Sequence, residues 1–312
     1  MDDPLSQPRQ RRSLAVVALL RPKQWIKNLF ILGPLLFSRS LGNVAMDMRV
    51  LAAFGAFCLM SGAVYVLNDL MDAEADRFHP EKRLRPIASG EISRGFAIVL
   101  AAGLALLSLG VSLTEGWMLS GLLLCYAVIN VTYSLGLKRV VIADVMMIGA
   151  GFVIRVLAGA AAISVSPSHW LVLCTILIAV FLGFTKRRAE IVLLENGAPQ
   201  HRQVLGHYSA AFLDQMISVV TSSTLMCYIL YAVDKHTIDT VSCGSRGLLL
   251  TVPFVMYGIF RYLYLVYHRQ EGGSPTTALL NDKLLIVDVV LWATVSLIVL
   301  YYPGFFRDWF ST

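Results

Sequence analysis

The sequence predicts an all-α, polytopic membrane protein with about nine transmembrane helices. Its 312 residues are 57% hydrophobic and 15% charged, which leaves too little polar cover for a soluble globular domain. Apolar runs long enough to cross a bilayer recur along the whole chain, and this is typical of a helical membrane protein. The predicted spans are 28–41, 49–67, 95–113, 117–137, 140–162, 169–185, 211–233, 246–267 and 283–302.

The first predicted span is short and contains Pro34, which cannot donate a helical hydrogen bond. Residues 1–14 form a polar, basic tail without the features of a removable signal peptide. We expect 15–302 to form a single transmembrane domain and 303–312 a short tail. The five cysteines are scattered and form no C-x-x-C pair, so the sequence indicates neither a metal cage nor a disulfide framework.

The distribution of Lys and Arg predicts the orientation. With the N-terminus inside, twenty of these residues flank the inner ends of the spans and five flank the outer ends. Because positive residues are retained in the cytoplasm, we expect a cytoplasmic N-terminus and a C-terminus outside. The net charge of +6 therefore belongs to one membrane face, and no free basic domain suggests a nucleic-acid partner. Two long charged inner loops, 68–94 and 186–210, place the expected chemistry on the cytoplasmic side.

An acidic motif follows directly from the second predicted span. Asn68, Asp69, Asp72 and Asp76 read N-D-x-x-D-x-x-x-D, and a helix places the three carboxylates on one face. Carboxylates on one stripe repel one another and are costly near hydrocarbon, so a cation must offset them. Mg²⁺ fits this role, with Mn²⁺ as a substitute, because it takes one or two carboxylates and completes its shell with water and phosphate.

A basic run follows the acidic motif. Pro80 and Pro86 prevent a continuous helix, so the chain must turn back over the acidic face. Lys82, Arg83 and Arg85 then reach the same place. Two interpretations stay open: a solvated helix end with ordinary ion pairs, or a site in which the bases and a metal bind a diphosphate.

The acidic motif, at the end of the second of nine spans, resembles the UbiA superfamily of intramembrane prenyltransferases. Two further strings, R-P-x-Q-W-x-K-N at Arg21–Asn28 and K-R-x-R-P-I-A-S-G at Lys82–Gly90, resemble its decaprenyl-phosphate phosphoribosyltransferase branch. The resemblance covers about 15–302. It implies a UbiA-like bundle in the bacterial cytoplasmic membrane and transfer from 5-phosphoribosyl 1-diphosphate (PRPP) to a polyprenyl phosphate. The resemblance does not decide whether the chain forms a homo-oligomer.

The chain departs from the superfamily pattern after the sixth span. Prenyltransferases of the superfamily usually carry a second aspartate-rich motif there, whereas this chain reads "KRRAEIVLLENG", with Glu190 and Glu195 among bases. Replacing carboxylates by bases favours a more negative substrate. PRPP carries a diphosphate and a separate 5-phosphate, so the departure supports the phosphoribosyl branch.

The resemblance implies a role for each candidate residue. Asp69, Asp72 and Asp76 are the implied catalytic residues and bind the metal together with Asn68. The implied substrate-binding residues are Lys23, Lys27, Asn68, Lys82, Arg83, Arg85, Tyr133, Lys138, Arg155, Lys186, Arg187 and Glu190. Among the basic residues, Lys23, Lys27 or Arg155 would bind the lipid phosphate. The residues that would bind the remaining phosphate charge of PRPP are Lys82, Arg83, Lys138, Lys186 and Arg187.

Several of these assignments have alternatives. Arg155 lies within a span, where it would bind an anion or pair with a carboxylate such as Asp144. Lys186 and Arg187 would bind phosphate or anchor the helix by the positive-inside rule. Tyr133 and Lys138 are separated by four residues, where the superfamily has three.

Two other functions stay open. A prenyltransferase with an aromatic acceptor would use a prenyl diphosphate and be independent of PRPP. A transporter would place polar residues along a path through several spans, whereas the charges here cluster on one face.

Overall fold

Eight long apolar helices form the framework of the computed structural model, which describes residues 14–78, 82–195, 206–234, 237, 246–268 and 275–302. The helices are α1 Val44–Asp76, α2 Arg94–Glu115, α3 Trp117–Leu135, α4 Ala143–Ala162, α5 His169–Glu195, α6 Ala210–Val233, α7 Val252–His268 and α8 Lys283–Tyr301. The described residues form no strand, so the all-α fold class is confirmed. The predicted tails, 1–14 and 303–312, lie outside the described residues apart from Leu14.

All eight framework helices contain an apolar window long enough to cross a bilayer, if α7 is counted with the 3₁₀ segment Gly247–Thr251 that precedes it. Large apolar side chains on several helices are exposed, including Val99 and Leu106 of α2, Val128 of α3 and Val290 of α8. Exposure of this kind is expected where a helix faces lipid rather than water. The chain is an integral membrane protein.

The first predicted span differs from the prediction. Among the described residues the membrane-spanning helices number eight rather than nine, and 28–41 forms no single long helix. Pro22–Leu32 is a 3₁₀ helix, and the five-residue helix Gly33–Phe37 follows it. The break falls where Pro34 removes a backbone donor, and a 3₁₀ run of eleven residues is uncommon unless packing supports it.

Packing against α4 supports the 3₁₀ segment. Gly159 of α4 lies so close to the segment that a Cβ atom there would overlap the carbonyl oxygen of Ile31. Asn28 is fully buried and joins the segment to α4 through Arg155 and to α1 through Ser61. The segment is therefore part of the helix bundle, and it brings Lys27 into the interior.

Short polar side chains begin several helices. Asn43, Ser93, Ser209 and Asp282 each accept a hydrogen bond from a backbone N–H group in the first turn of α1, α2, α6 and α8. Such caps satisfy donors that have no partner within the helix. They fix where each helix begins, and so where its side chains lie along the bundle.

Candidate active site

Two aspartates of the acidic motif share one arginine. Asp69 and Asp76, at the C-terminal end of α1, are 3% and 5% exposed. Nη1 of Arg85 donates to Oδ1 of Asp69 at 3.1 Å and to Oδ2 of Asp76 at 2.7 Å. Arg21 also donates to Oδ1 of Asp69, at 2.6 Å. The chain after α1 therefore folds back over the acidic face, and Arg85 makes the contact.

The other two residues of the motif face α3 and the 3₁₀ turn after it. Asp72 is 43% exposed, and its Oδ1 atom lies 3.4 Å from Nζ of Lys138. The side-chain oxygen of Asn68 accepts a hydrogen bond from Ser134 at 2.7 Å. The motif thus lies between the loop after α1 and the end of α3, with Asp72 open to solvent.

The remaining bases of the loop differ in exposure. Lys82 is partly buried, whereas Arg83 is exposed and forms no ion pair with the acidic motif among the described residues. The described side chains also contain no group of three His, Cys, Asp or Glu residues placed to hold a metal together. Asp69 and Asp76 nevertheless both contact one positive group, the guanidinium of Arg85.

Arg187 lies in a buried network rather than in an open phosphate site. Its side chain is 1% exposed, and Nε donates to Asp144 of α4 at 2.5 Å. Nη1 donates to Glu190 at 2.6 Å and Nη2 to the hydroxyl of Tyr133 at 3.3 Å. Carboxylates and a phenol therefore occupy all three guanidinium nitrogens. The arrangement ties α5 to α4 and to the end of α3.

Tyr208 completes the network around Asp144. Its hydroxyl donates to Oδ1 of Asp144 at 2.8 Å and accepts from the backbone N–H of Ile142 at 2.6 Å. Burial, followed by the neighbouring carboxylate, raises the pKa of Tyr208 to about 12, so the phenol stays protonated and donates. Ile142 has a positive φ of 67°, which is unusual for a β-branched residue. The hydrogen bond that the N–H of Ile142 donates to Tyr208 holds this turn at the start of α4.

Arg155 is a buried cation whose described partners are all neutral. It is 5% exposed, and it donates to the side chain of Asn28 at 2.7 Å, to the carbonyl of Gly151 at 2.8 Å and to the hydroxyl of Tyr126 at 3.0 Å. The predicted alternative of an ion pair with Asp144 is wrong, because Asp144 pairs with Arg187. Arg155 therefore keeps its positive charge uncompensated by any described carboxylate.

The two lysines of the 3₁₀ segment differ. Lys23 is exposed, whereas Lys27 is partly buried and has no hydrogen-bond or ion-pair partner among the described residues. Lys27 lies outside the eight membrane-spanning helices. Burial, and then the neighbouring charges of Lys186, Arg155 and Arg21, lower its pKa from 10.5 to about 7. Lys27 therefore loses its proton more readily than an exposed lysine does.

Sequence reasoning missed several of these residues. Arg21 and Asn28 begin and end the R-P-x-Q-W-x-K-N string, but neither was assigned a contact with Asp69 or Arg155. The available signal was Asn28, an amide in the predicted first span, because a polar group buried there needs a hydrogen-bond partner. Tyr208 carried no local signal at all, since its partner lies 64 residues earlier.

Comparison with known families identifies the fold. The model of the UbiA prenyltransferase family matches residues 29–281. The chain belongs to the UbiA prenyltransferase family. A decaprenyl-phosphate phosphoribosyltransferase from Corynebacterium glutamicum is 32% identical over 98% of this chain and 92% of its own length. A protein of the same name from Mycobacterium tuberculosis is 31% identical over 95% of this chain and 97% of its own length.

Solved structures of UbiA proteins share the architecture. A UbiA homolog from Archaeoglobus fulgidus bound to GPP and Mg²⁺ superposes with a TM-score of 0.69, covering 92% of this chain and 99% of the other. A structure of digeranylgeranylglyceryl phosphate synthase gives a TM-score of 0.64 over 93% and 98%. At 16% and 17% sequence identity these likenesses concern the UbiA fold alone.

Proposed function

We propose that this chain transfers the 5-phosphoribosyl group of PRPP to decaprenyl phosphate and releases pyrophosphate. The product is decaprenylphosphoryl-5-phosphoribose. The observation that carries the proposal is identity of about one third, over almost the full length, to two proteins named for this activity. The sequence after the sixth predicted span supports it, because Lys186, Arg187 and Arg188 stand where prenyltransferases carry a second aspartate-rich motif.

The acidic motif fits a divalent metal ion. Asp69 and Asp76 already share one positive group, the guanidinium of Arg85. Mg²⁺ needs only one or two carboxylates, because water and phosphate complete its coordination shell. We propose that the ion is Mg²⁺, with Mn²⁺ as a substitute, and that Asn68 and Asp72 complete the set. When bound, it would neutralise the charge that develops on the departing pyrophosphate.

The residues of this chain orient the donor. Arg85 reaches the acidic motif from the loop after α1 and Lys138 from the turn after α3, and both can turn from carboxylate to phosphate oxygens. Lys82 and Arg83 lie in the same loop as Arg85, and Arg83 is exposed. Arg187 is a positioning residue, since its guanidinium is committed to Asp144, Glu190 and Tyr133. Its role is to hold Tyr133 and the helix that carries Lys186.

In the proposed reaction an oxygen of the lipid phosphate attacks C1 of the ribose. The bond between C1 and the diphosphate oxygen breaks, and its electron pair leaves with the pyrophosphate. Positive charge develops on the ribose ring, and the fixed charges of the site stabilise the separating groups. Attack from the face opposite the leaving group inverts C1 and gives a β-linked product.

We also propose that the acidic motif faces the cytoplasm of a bacterial cell, since PRPP is water-soluble and twenty of the Lys and Arg residues flank that side. Arg94 is exposed next to the motif and suits a test. An Arg94→Cys variant should react with an impermeant thiol reagent in inside-out vesicles. Reaction in right-side-out vesicles instead would contradict the proposed orientation.

We also propose crosslinking in native membranes as the test of whether the chain forms a homo-oligomer.

Transfer of labelled PRPP to decaprenyl phosphate tests the function directly. Purified protein with Mg²⁺ should move the label into the lipid phase, and EDTA or Asp72→Asn should abolish the transfer. Glu74→Gln is the matched control, because Glu74 is on the same helix, is 77% exposed and pairs with Arg94. Turnover of a prenyl diphosphate with an aromatic acceptor, without transfer from PRPP, would contradict the proposal, as would transport of an unchanged solute.

A further inference from the structure

Two cysteines of neighbouring helices lie in contact, far from the acidic motif. Cys174 of α5 and Cys227 of α6 are separated by 53 residues in the chain, yet their Sγ atoms are 3.5 Å apart. Both are free thiols. Cys174 is partly exposed, whereas Cys227 is only 8% exposed. A pair this far apart has no spacing pattern in the sequence, so only the tertiary structure brings the two thiols together.

The sulfur atoms are close to the separation that a covalent bond requires. A disulfide places its sulfur atoms about 2.05 Å apart, so each sulfur atom must move by about 0.7 Å. The two helices already pack against each other: Phe184 of α5 and Ile217 of α6 belong to one buried cluster, and Arg188 donates to Asp214 at 2.7 Å. Forming the bond therefore requires a small side-chain movement rather than the approach of two separate segments.

The cysteine pair lies at the end of the bundle opposite the acidic motif. Cys174 precedes Arg187 by thirteen residues of α5, a rise of about 20 Å at 1.5 Å per residue. Arg187 contacts Tyr133 near the end of α3, and Lys138 of the following turn reaches Asp72 of the motif. The proposed orientation puts the end with Cys174 outside the cytoplasm. Disulfides form and persist on that side of a bacterial membrane.

Apolar and aromatic side chains surround the pair and decide which oxidant can reach it. Cys174, Trp170 and Phe37 all pack against the buried cluster that contains Tyr228 and Tyr231. Cys174 is also the sixth residue of α5, about 7.5 Å along the helix from its first residue. An oxidant that dissolves in lipid fits this environment better than a charged, water-soluble one. Quinones dissolve in lipid, and they accept the electrons of disulfide formation in the bacterial periplasm.

We propose that Cys174 and Cys227 form a disulfide bond when a lipid-soluble quinone oxidises them, and that the bond stabilises the packing of α5 against α6. The two S–H bonds break and one S–S bond forms. Two electrons and two protons pass to the quinone, which becomes a quinol. Cys174 reacts first because it is the more exposed thiol, and Cys227 completes the bond. This inference goes beyond the proposed function and does not depend on the transfer reaction.

Oxidation should make the helix bundle harder to unfold. The bond would close a loop of 53 residues, and a cross-link stabilises mainly by restricting the unfolded chain. The midpoint of thermal unfolding in detergent should rise by about 5–10 °C when the quinone oxidises the wild-type chain. Cys174→Ala and Cys227→Ala should unfold at the same midpoint with and without the quinone, because neither variant can form the bond.

The experiment counts the cysteines that are bound in disulfides in membranes containing the full-length chain. The membranes are incubated with tetramethylbenzoquinone, whose ring has no free position to which a thiol could add. Free thiols are then blocked with N-ethylmaleimide in sodium dodecyl sulfate, and the disulfides are reduced and labelled with a maleimide of high mass. We expect two labelled cysteines, and mass spectrometry without reduction should find the peptides of Cys174 and Cys227 joined. Dithiothreitol before blocking should leave no labelled cysteine.

Cys125→Ala is the matched control, because Cys125 is an exposed thiol of α3 outside the pair. This variant should still show two labelled cysteines, whereas Cys174→Ala and Cys227→Ala should show none. The count in the wild-type chain does not depend on the folding of any variant. It also needs no turnover, so absence of label transfer from PRPP would reject the proposed function and leave this inference to the thiol count.

Three results would overturn the inference. The first is a wild-type chain in which all five cysteines remain free after treatment with the quinone. The second is a disulfide that joins Cys174 or Cys227 to another cysteine or to a second copy of the chain. The third is a disulfide between Cys174 and Cys227 that leaves the midpoint of unfolding unchanged.

Discussion

Gly159 is the position at which one methyl group should separate the 3₁₀ segment from the bundle. A Cβ atom there would lie 2.9 Å from the carbonyl carbon and 3.2 Å from the Cα of Ile31, with the carbonyl oxygen closer still. Ordinary contacts between carbon atoms are about 3.5–4.0 Å, and backbone atoms cannot rotate away as a side chain can. In a Gly159→Ala variant the segment must therefore move by about 1 Å.

The displacement has a cost that can be worked out. Overpacking costs about 1–3 kcal/mol. Asn28 is three residues from Ile31, so its 2.7 Å hydrogen bond with Arg155 should also break, at about 1.5–3 kcal/mol for a charged donor. The higher helix propensity of alanine returns about 1 kcal/mol. The expected net loss is about 1.5–5 kcal/mol of the free energy of unfolding, together with a raised KM for decaprenyl phosphate.

Unfolding in mixed detergent micelles, followed by circular dichroism, measures this loss. Gly103→Ala is the matched control, because Gly103 lies within α2 and a Cβ atom there would have no neighbour within 4 Å. The control should be neutral or slightly more stable. If Gly159→Ala unfolds at the same detergent ratio as Gly103→Ala and keeps its acceptor KM, the reasoning about close approach is refuted.

The buried network around Asp144 gives three further predictions, each checked by the same unfolding assay. Arg187→Met should cost about 3–5 kcal/mol, because it leaves the carboxylate of Asp144 buried and unpaired; a loss below about 1 kcal/mol would contradict this. Adding Asp144→Asn to Arg187→Met should recover part of that loss, and a strictly additive double variant would show that the pair is not coupled. Tyr208→Phe should cost about 1–3 kcal/mol, because Asp144 and the N–H of Ile142 both lose a partner; stability equal to wild type would show that water replaces the hydroxyl.

The sequence predicted the parts of the fold that depend on local pattern. The long apolar runs became helices α1 to α8, and the spacing of the acidic motif placed Asp69 and Asp76 where one arginine reaches both. Pro34 marked the weak point of the first span, but the 3₁₀ form of Pro22–Leu32 depends on its close approach to Gly159. A contact between residues so far apart in the chain leaves no local pattern.

The site was predictable to the same extent. The sequence named the candidate residues as a group of charges, and charge alone does not distinguish a phosphate ligand from a structural ion pair. Arg187 and Arg155 illustrate the limit: one is buried against Asp144, and the other is buried among neutral groups. Their partners come from other helices, so only the tertiary structure separates the two roles. The roles in catalysis themselves stay predictions.

Under the proposed function, the length of α1 sets the depth at which the donor binds. Its 33 residues extend about 50 Å, whereas the hydrocarbon layer of a bilayer is about 30 Å thick. One continuous helix is therefore long enough to reach from the hydrocarbon layer through the headgroup layer, with the acidic motif in its last turns. Two substrates that dissolve in different phases can meet along this helix without either leaving its own phase. In the proposed reaction the apolar chain of the polyprenyl phosphate stays among the lipid tails, and PRPP stays in contact with water.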